Sequence, residues 1–153
     1  MQYGVARTIA HCLRQNDISD VFFMTGGDQP FWIALKEAGL RLHLARSEAS
    51  AVYMADGYAR ATGRSAAVYG QWGPGAANAA AAFADAWWAR TPLIALTSAV
   101  PTTSAGRQEY QEVDQRQFFA PVTKWSATLN RPDRVGELVT TAIRQARSGC
   151  PQQ

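Results

Sequence analysis

Short apolar runs that end in glycine-rich or polar turns, each followed by a helical pattern, recur along this 153-residue chain. That alternation constrains the fold more than any other feature. The run at residues 20–24 (DVFFM) ends in Thr25-Gly26-Gly27. A helix is expected from Gln29 or Pro30 to about Ala38, with the proline suited to a first helical turn and Gly39 to a helix end. A short strand is expected at residues 40–45. Residues 48–62 carry Ala51, Val52, Ala55 and Ala59 on one helical face, and Gly63 stops the pattern. Residues 66–69 read as a strand running into Gly70-Gln71-Trp72-Gly73-Pro74-Gly75. A helix follows over residues 76–88, and its six alanines between positions 76 and 82 favour close packing. Residues 93–98 read as the next strand, residues 106–119 as holding a short polar helix, and residues 132–148 as a terminal helix. An amphipathic helix opens the chain.

Strands separated by helices over short loops imply βαβ units with right-handed crossovers. The expected fold is therefore α/β, three layers with a central parallel sheet covered by helices on both faces. The length suits one domain, and a composition 47% hydrophobic and 18% charged supports a real core. In such sheets ligands sit beyond the carboxyl ends of the strands. Those ends are residues 25–28, 46–48, 70–75 and 97–101.

Several function classes are disfavoured on the same grounds. The net charge is +3 and nearly all basic residues are arginine, but they are spread from Arg7 to Arg147 without a run. A nucleic-acid stripe is not expected. The longest uncharged stretch, residues 65–84, contains three glycines, a proline, a glutamine and an asparagine, which makes a poor membrane span. The amino-terminal segment lacks the apolar run of a signal peptide. Cys12 and Cys150 have no partners at metal-ligand spacing and are too few for a disulfide framework, so a reduced, cytoplasmic setting is expected.

Two segments attract chemical interest. Residues 70–75 place glycines between a strand and a helix, where backbone can approach a ligand and a helix N-terminus offers free N–H groups. Taken alone the segment reads as a tight turn, since it is neither a Walker loop nor G-x-G-x-x-G. Glu48 opens the helix at residues 48–62. Its plain role is to favour a helix N-terminus, worth about 0.3–1 kcal/mol. Its place at a strand end, beside an Ala/Val face, also allows a half-buried carboxylate.

Taken in order, Glu48, the run Met54-Ala55-Asp56-Gly57-Tyr58-Ala59-Arg60-Ala61-Thr62-Gly63, and then Gly73-Pro74-Gly75-Ala76-Ala77-Asn78 resemble the N-terminal pyrimidine-binding domain of thiamine-diphosphate enzymes. The similarity is to the acetolactate synthase, benzoylformate decarboxylase and pyruvate decarboxylase group. It continues through Thr91-Pro92-Leu93, Glu109-Tyr110-Gln111-Glu112-Val113-Asp114 and Val122-Thr123-Lys124-Trp125. It covers nearly the whole chain, roughly residues 5–149, and implies one such domain over residues 1–153.

The resemblance implies roles. A glutamate at the position of Glu48 hydrogen-bonds pyrimidine nitrogen N1′ and promotes the imino tautomer of the 4′-amino group, which takes the cofactor's C2 proton. A carboxylate suits that task because it exchanges a proton with a ring nitrogen in a poorly solvated pocket. Gly73, Pro74 and Gly75 would wall the pyrimidine, with Asn78 also on the cofactor side. Gln71 matches a substrate-contacting histidine of some decarboxylases, and Trp72 replaces a usually small residue. Gly27 and Asp28 belong to the first active-site loop, where Asp28 is either the family's acid or a cap for the next helix. Gln111 is either the substrate-side glutamine of the synthases or a surface polar residue. His11 and His43 match no catalytic position and are expected to be structural.

The family binds the diphosphate through Mg²⁺ on a second domain, with Gly-Asp-Gly and a later Asn. This chain has no such motif, and Asp56-Gly57 lies within a helix. The expectation is the pyrimidine-binding half of a 2-oxo acid decarboxylase or carboligase, inactive alone, as a fragment or a split-enzyme subunit. It would need a pyrophosphate-binding domain or subunit and a homodimer or larger assembly. The helix with the six alanines, Phe83, Trp87 and Trp88, together with the Glu48 helix, would supply much of a two-fold interface. The alternative is a non-catalytic binding or assembly subunit that keeps the fold. A nucleotide-binding flavodoxin-like domain would need a phosphate loop.

Overall fold

The computed structural model describes residues 2–24, 26 and 29–150. The elements in order are α1 (Gln2–Gln15), β1 (Asp20–Phe23), α2 (Gln29–Glu37), β2 (Arg41–Leu44), α3 (Glu48–Thr62), β3 (Ala66–Gly70), α4 (Pro74–Trp88), β4 (Leu93–Thr97), α5 (Gln115–Phe119) and α6 (Val135–Arg147). The four strands form one parallel sheet in the order β2-β1-β3-β4.

Successive strand residues face opposite layers, as the two-residue pleat requires. Val21, Ala67, Tyr69 and Ile94 join α1, α2 and α6 on one side. Phe22, Ala66, Val68 and Leu93 join α3, α4 and α5 on the other. β3 lies between two strands and is buried along its whole length, which fits its unbroken apolar and small sequence AAVYG.

The ends of α3 show why residues 48–62 form one helix. Ser47, in extended backbone, accepts a hydrogen bond from the Ser50 N–H at 3.1 Å, and Gly63 closes the helix with φ of 69°. Its face of Ala51, Val52, Ala55 and Ala59 is buried, as the spacing predicts. Asp56 is buried too, accepting from Thr91 Oγ1 at 2.6 Å and Arg60 Nε at 3.0 Å, which gives it a packing role.

Three boundaries differ from the sequence reading. The α4 helix begins at Pro74 rather than Ala76, because proline fills the first helical position, where a missing N–H costs nothing. The polar helix within residues 106–119 shrinks to α5. Gln108 and Gln111, with φ of 59° and 62°, leave helical backbone before it. The terminal helix is preceded by a 3-10 turn at Pro132–Arg134.

At the amino end of the sheet, Asp20 is buried and saturated with donors. Arg41 donates through Nε and Nη2 at 2.8 and 2.6 Å, Ser19 Oγ and Tyr58 Oη each at 2.7 Å, and His43 Nε2 lies 2.7 Å away. Burial pushes the carboxyl pKa up. The bonds from Arg41, His43, Ser19 and Tyr58 outweigh it, and the group is held well below its ordinary value. Asp20 and Arg41 are register partners, so this cluster clamps β1 to β2 and, through Tyr58, to α3.

Candidate functional site

The opposite, carboxyl end of the sheet collects the residues singled out from the sequence. The β2 strand ends at Leu44, and after three intervening residues Glu48 begins α3. The strand end and the Ser47 cap together direct this side chain into the protein, where it is 5% exposed. The β3 strand ends at Gly70, and the following turn carries the chain into α4.

The two segments meet at the Glu48 carboxylate. A Cβ built on Gly75 would lie 2.6 Å from Glu48 Oε1, so only glycine lets the first turn of α4 come this close. Asn78, one turn further on and exposed, donates from Nδ2 to Glu48 Oε2 over a long 3.4 Å. Gly73 has φ of 68°, and a Cβ there would stand 2.5 Å from the Gln111 carbonyl oxygen. Pro74 is exposed in the first turn of α4. Gln71 reaches across the sheet end: its Oε1 stands 2.6 Å from where a Cβ on Gly26 would be.

A loop over these residues completes the surround. Glu112 accepts backbone N–H bonds from Gly106 at 2.5 Å and Glu109 at 3.0 Å, which lower its pKa and fix the loop. Trp72 ties that loop to the sheet. Its indole N–H donates to the Tyr110 carbonyl at 3.0 Å, and its backbone N–H donates to Ser98 Oγ at 3.2 Å. Gln111 is half-buried in left-handed backbone, and its Oε1 is buried with no hydrogen-bond partner among the described residues.

Glu48, Gln71, Gly75 and Asn78 are therefore brought together, with Gly73 and Gln111 in contact beside them. Gly27 and Asp28 lie outside the described residues. Sequence reasoning missed Gln115, whose Nε2 donates to the Ser98 carbonyl at 2.8 Å while its Oε1 is buried and has no partner among the described residues. It also passed over Ser98, although Ser98 sits at a strand end already marked as ligand-side. His11 lies in α1, and His43 lies in β2, bonded to Asp20.

A buried carboxylate with one long hydrogen bond among the described residues carries a cost of desolvation that a donor from a ligand would offset. Next to it, Gly75 lets the first turn of α4 close onto the carboxylate, and Gly73 lets that turn close onto the Gln111 backbone. An acceptor in a cradle of this kind suits a flat heteroaromatic ring bearing nitrogen donors, and a buried carboxylate can share a proton with one.

The family of this parallel α/β domain follows from comparison with known proteins. The model described as thiamine pyrophosphate enzyme, N-terminal TPP binding domain, matches residues 4–118, and the chain belongs to that family. Among its relatives is the probable acetolactate synthase large subunit of Methanocaldococcus jannaschii, 35% identical over 95% of this chain. The acetolactate synthase isozyme 1 large subunit of Escherichia coli is 36% identical over 95% of it. The sulfoacetaldehyde acetyltransferase of Castellaniella defragrans is 35% identical over 86% of it. The chain spans 25%, 26% and 22% of these relatives' lengths, respectively. A Rhodococcus jostii thiamine diphosphate-dependent 4-hydroxybenzoylformate decarboxylase shares the fold, with a TM-score of 0.89, 24% identity, and coverage of 97% of this chain and 28% of that one. Among the described residues, no helix is long and apolar enough to cross a membrane.

Proposed function

We propose that this chain supplies the pyrimidine-binding half of a thiamine-diphosphate-dependent 2-oxo acid decarboxylase or carboligase, with Glu48 as the group that shares a proton with the pyrimidine ring. One observation carries this reading: the Glu48 carboxylate is buried, faces the glycine turn of α4, and among the described residues takes one long hydrogen bond, from Asn78. The cofactor, when bound, supplies a carbon nucleophile and an electron sink for 2-oxo acids.

The rest of the site follows from what each residue offers. Glu48 accepts a hydrogen bond or holds a proton at the carboxylate, where exclusion of water strengthens the interaction. Asn78 steadies the carboxylate. Gly73, Pro74 and Gly75 are proposed to wall the ring, and the lack of a side chain on Gly75 lets the first turn of α4 approach the Glu48 carboxylate. Gln71 and Gln111, with Gly27 and Asp28, are proposed to lie on the substrate side. Gln111 has a buried acceptor awaiting a donor. The diphosphate and its Mg²⁺ are assigned to a pyrophosphate-binding domain or subunit, so the chain by itself should bind the cofactor weakly and turn nothing over.

A homodimer or larger assembly belongs to the same reading. Trp88 on α4 is 84% exposed, and Tyr53 and Met54 on α3 are 51% and 42% exposed, which leaves apolar surface for a partner. Phe83, expected in that interface, instead packs edge-on against Phe119 inside the domain.

The experiment joins the chain to a pyrophosphate-binding domain and follows steady-state decarboxylation and exchange of the cofactor's C2 proton for deuterium. Glu48→Gln should lower both by on the order of 10²–10⁴-fold, the usual worth of a positioned proton-transfer group. Parent-like exchange and turnover in that variant would remove Glu48 from the chemistry. A joined protein that never turns over would favour a non-catalytic assembly subunit.

A further inference from the structure

Residues 109–112 form a four-residue turn beside the candidate site, closed by the Glu112 N–H on the Glu109 carbonyl at 2.9 Å. Gln111 is its third residue, with φ of 62°, whereas Tyr110 keeps a negative φ. That combination is the type II turn. It differs from the commoner type I by a flip of the central peptide, here the Tyr110 carbonyl and the Gln111 N–H. The third position of a type II turn suits glycine, and the Cβ of a glutamine there crowds its own backbone. Left to itself, the sequence Glu-Tyr-Gln-Glu therefore favours the unflipped sense. A group outside the turn has to hold the flip.

Two consecutive residues of the segment before α4 do so. The Trp72 indole N–H donates to the Tyr110 carbonyl at 3.0 Å. This bond falls on the central peptide itself, and the carbonyl would point away from the indole if that peptide turned over. Gly73 meets the other side of Gln111. A Cβ on Gly73 would stand 2.5 Å from the Gln111 carbonyl oxygen and 2.9 Å from the Gln111 Cβ, so glycine is what allows the contact. The peptides before and after Gln111 are thus gripped by Trp72 and Gly73. The grip has a firm base: the Trp72 backbone N–H donates to Ser98 Oγ at 3.2 Å, and the Ser98 carbonyl accepts from Gln115 Nε2 at 2.8 Å. The Tyr110 side chain is 79% exposed, so the turn is held by its backbone carbonyl and not by that ring.

We infer that Trp72 is a positioning residue for the substrate side of the site: its indole N–H holds the 109–112 turn in the flipped sense, and thereby presents the Gln111 side-chain oxygen to a hydrogen-bond donor on the substrate. That oxygen is buried without a partner among the described residues, the state of an acceptor kept for a ligand. The flip sets where it points, because reversing φ at Gln111 swings the side chain to another side of the backbone. The substrate role rests on the function proposed above, with Gln111 on the substrate side, whereas the hold of Trp72 on the turn is independent of it.

Trp72→Phe tests the inference, since phenylalanine keeps most of the ring and removes the donor. In the chain as it stands, NMR reads the turn directly. The flipped peptide brings the Gln111 N–H close to the Tyr110 Hα, and the cross-peak between them should weaken in Trp72→Phe. The ratio of flipped to unflipped turn should fall by about 5–10-fold, the net worth of one hydrogen bond. Adding Gln111→Gly to that variant should restore the cross-peak, because glycine takes positive φ without help. Joined to a pyrophosphate-binding domain, Trp72→Phe should raise KM for the 2-oxo acid by on the order of 5–10-fold. Exchange of the cofactor's C2 proton, which needs no substrate, should stay within about twofold of the parent. An undiminished cross-peak, no restoration by glycine, an unchanged KM, or C2 exchange that falls as far as KM rises would each overturn the inference. A parent joined protein without turnover would instead overturn the substrate-side reading, with the cross-peak still deciding whether Trp72 holds the turn.

Discussion

Two buried carboxylates sit at opposite ends of the same sheet, and their surroundings could hardly differ more. Asp20, at the amino end, is held by Ser19, Arg41, His43 and Tyr58, with bonds of 2.6–2.8 Å. Glu48, at the carboxyl end, has Asn78 at 3.4 Å. Burial alone therefore says little about function. What separates the two is how fully the protein itself satisfies the charge. A saturated carboxylate joins elements of the fold, whereas one left nearly bare among the described residues is available, on the proposed reading, to a ligand.

This contrast can be broken most directly at Asp20. Asp20→Asn should lower unfolding stability by about 3 kcal/mol, the low end for breaking a buried pair, because Arg41 stays solvated when its partner is lost. Chemical denaturation checks it, and a cost no larger than that of Glu48→Gln would remove the distinction. Acid sharpens the same point. The folded-state pKa of Asp20 is depressed, so its contribution is complete above the ordinary value of 3.8 and fades as pH falls from there toward the depressed value. Stability measured against pH should therefore drop more steeply below about pH 4 in the parent than in Asp20→Asn.

Smaller effects belong to the other end. Gly73→Ala places a Cβ against the Gln111 carbonyl in left-handed backbone, and should cost roughly 1–3 kcal/mol in thermal or denaturant unfolding. An unchanged midpoint would mean that the loop at Gln111 yields freely. Smallest of all, Glu48→Gln should alter stability by less than about 1 kcal/mol, since it removes a poorly satisfied charge and at most one weak bond. A large loss of stability would make Glu48 a second Asp20, and the bare carboxylate would lose its meaning.

Much of this architecture can be read from the chain in order. The α3 helix matches residues 48–62 because a serine cap, an Ala/Val face and a terminal glycine all act locally, and the strands follow from apolar runs bounded by turns. Glu48 was legible as a candidate because its place at a strand end is also a local property. The site's other features were not. Nothing near Gln115 signals that its amide spans from α5 to the Ser98 carbonyl, and nothing near Gln111 signals a buried oxygen without a donor.

What the sequence determined by itself is the set of elements, their parallel pairing and the end of the sheet at which ligand-side residues collect, because periodicity, capping and crossover handedness depend on neighbours along the chain. Tertiary structure alone decided which carboxylate is satisfied. Beyond the adjacent Ser19, Asp20 obtains its donors from β2 and α3, up to 38 residues away, and Glu48 meets Asn78 across 30. It also decided that Gly75 must lack a side chain and that Phe83 turns inward. Each of these depends on which surfaces meet after the chain has folded, and no local pattern records the distance between two groups brought together by packing.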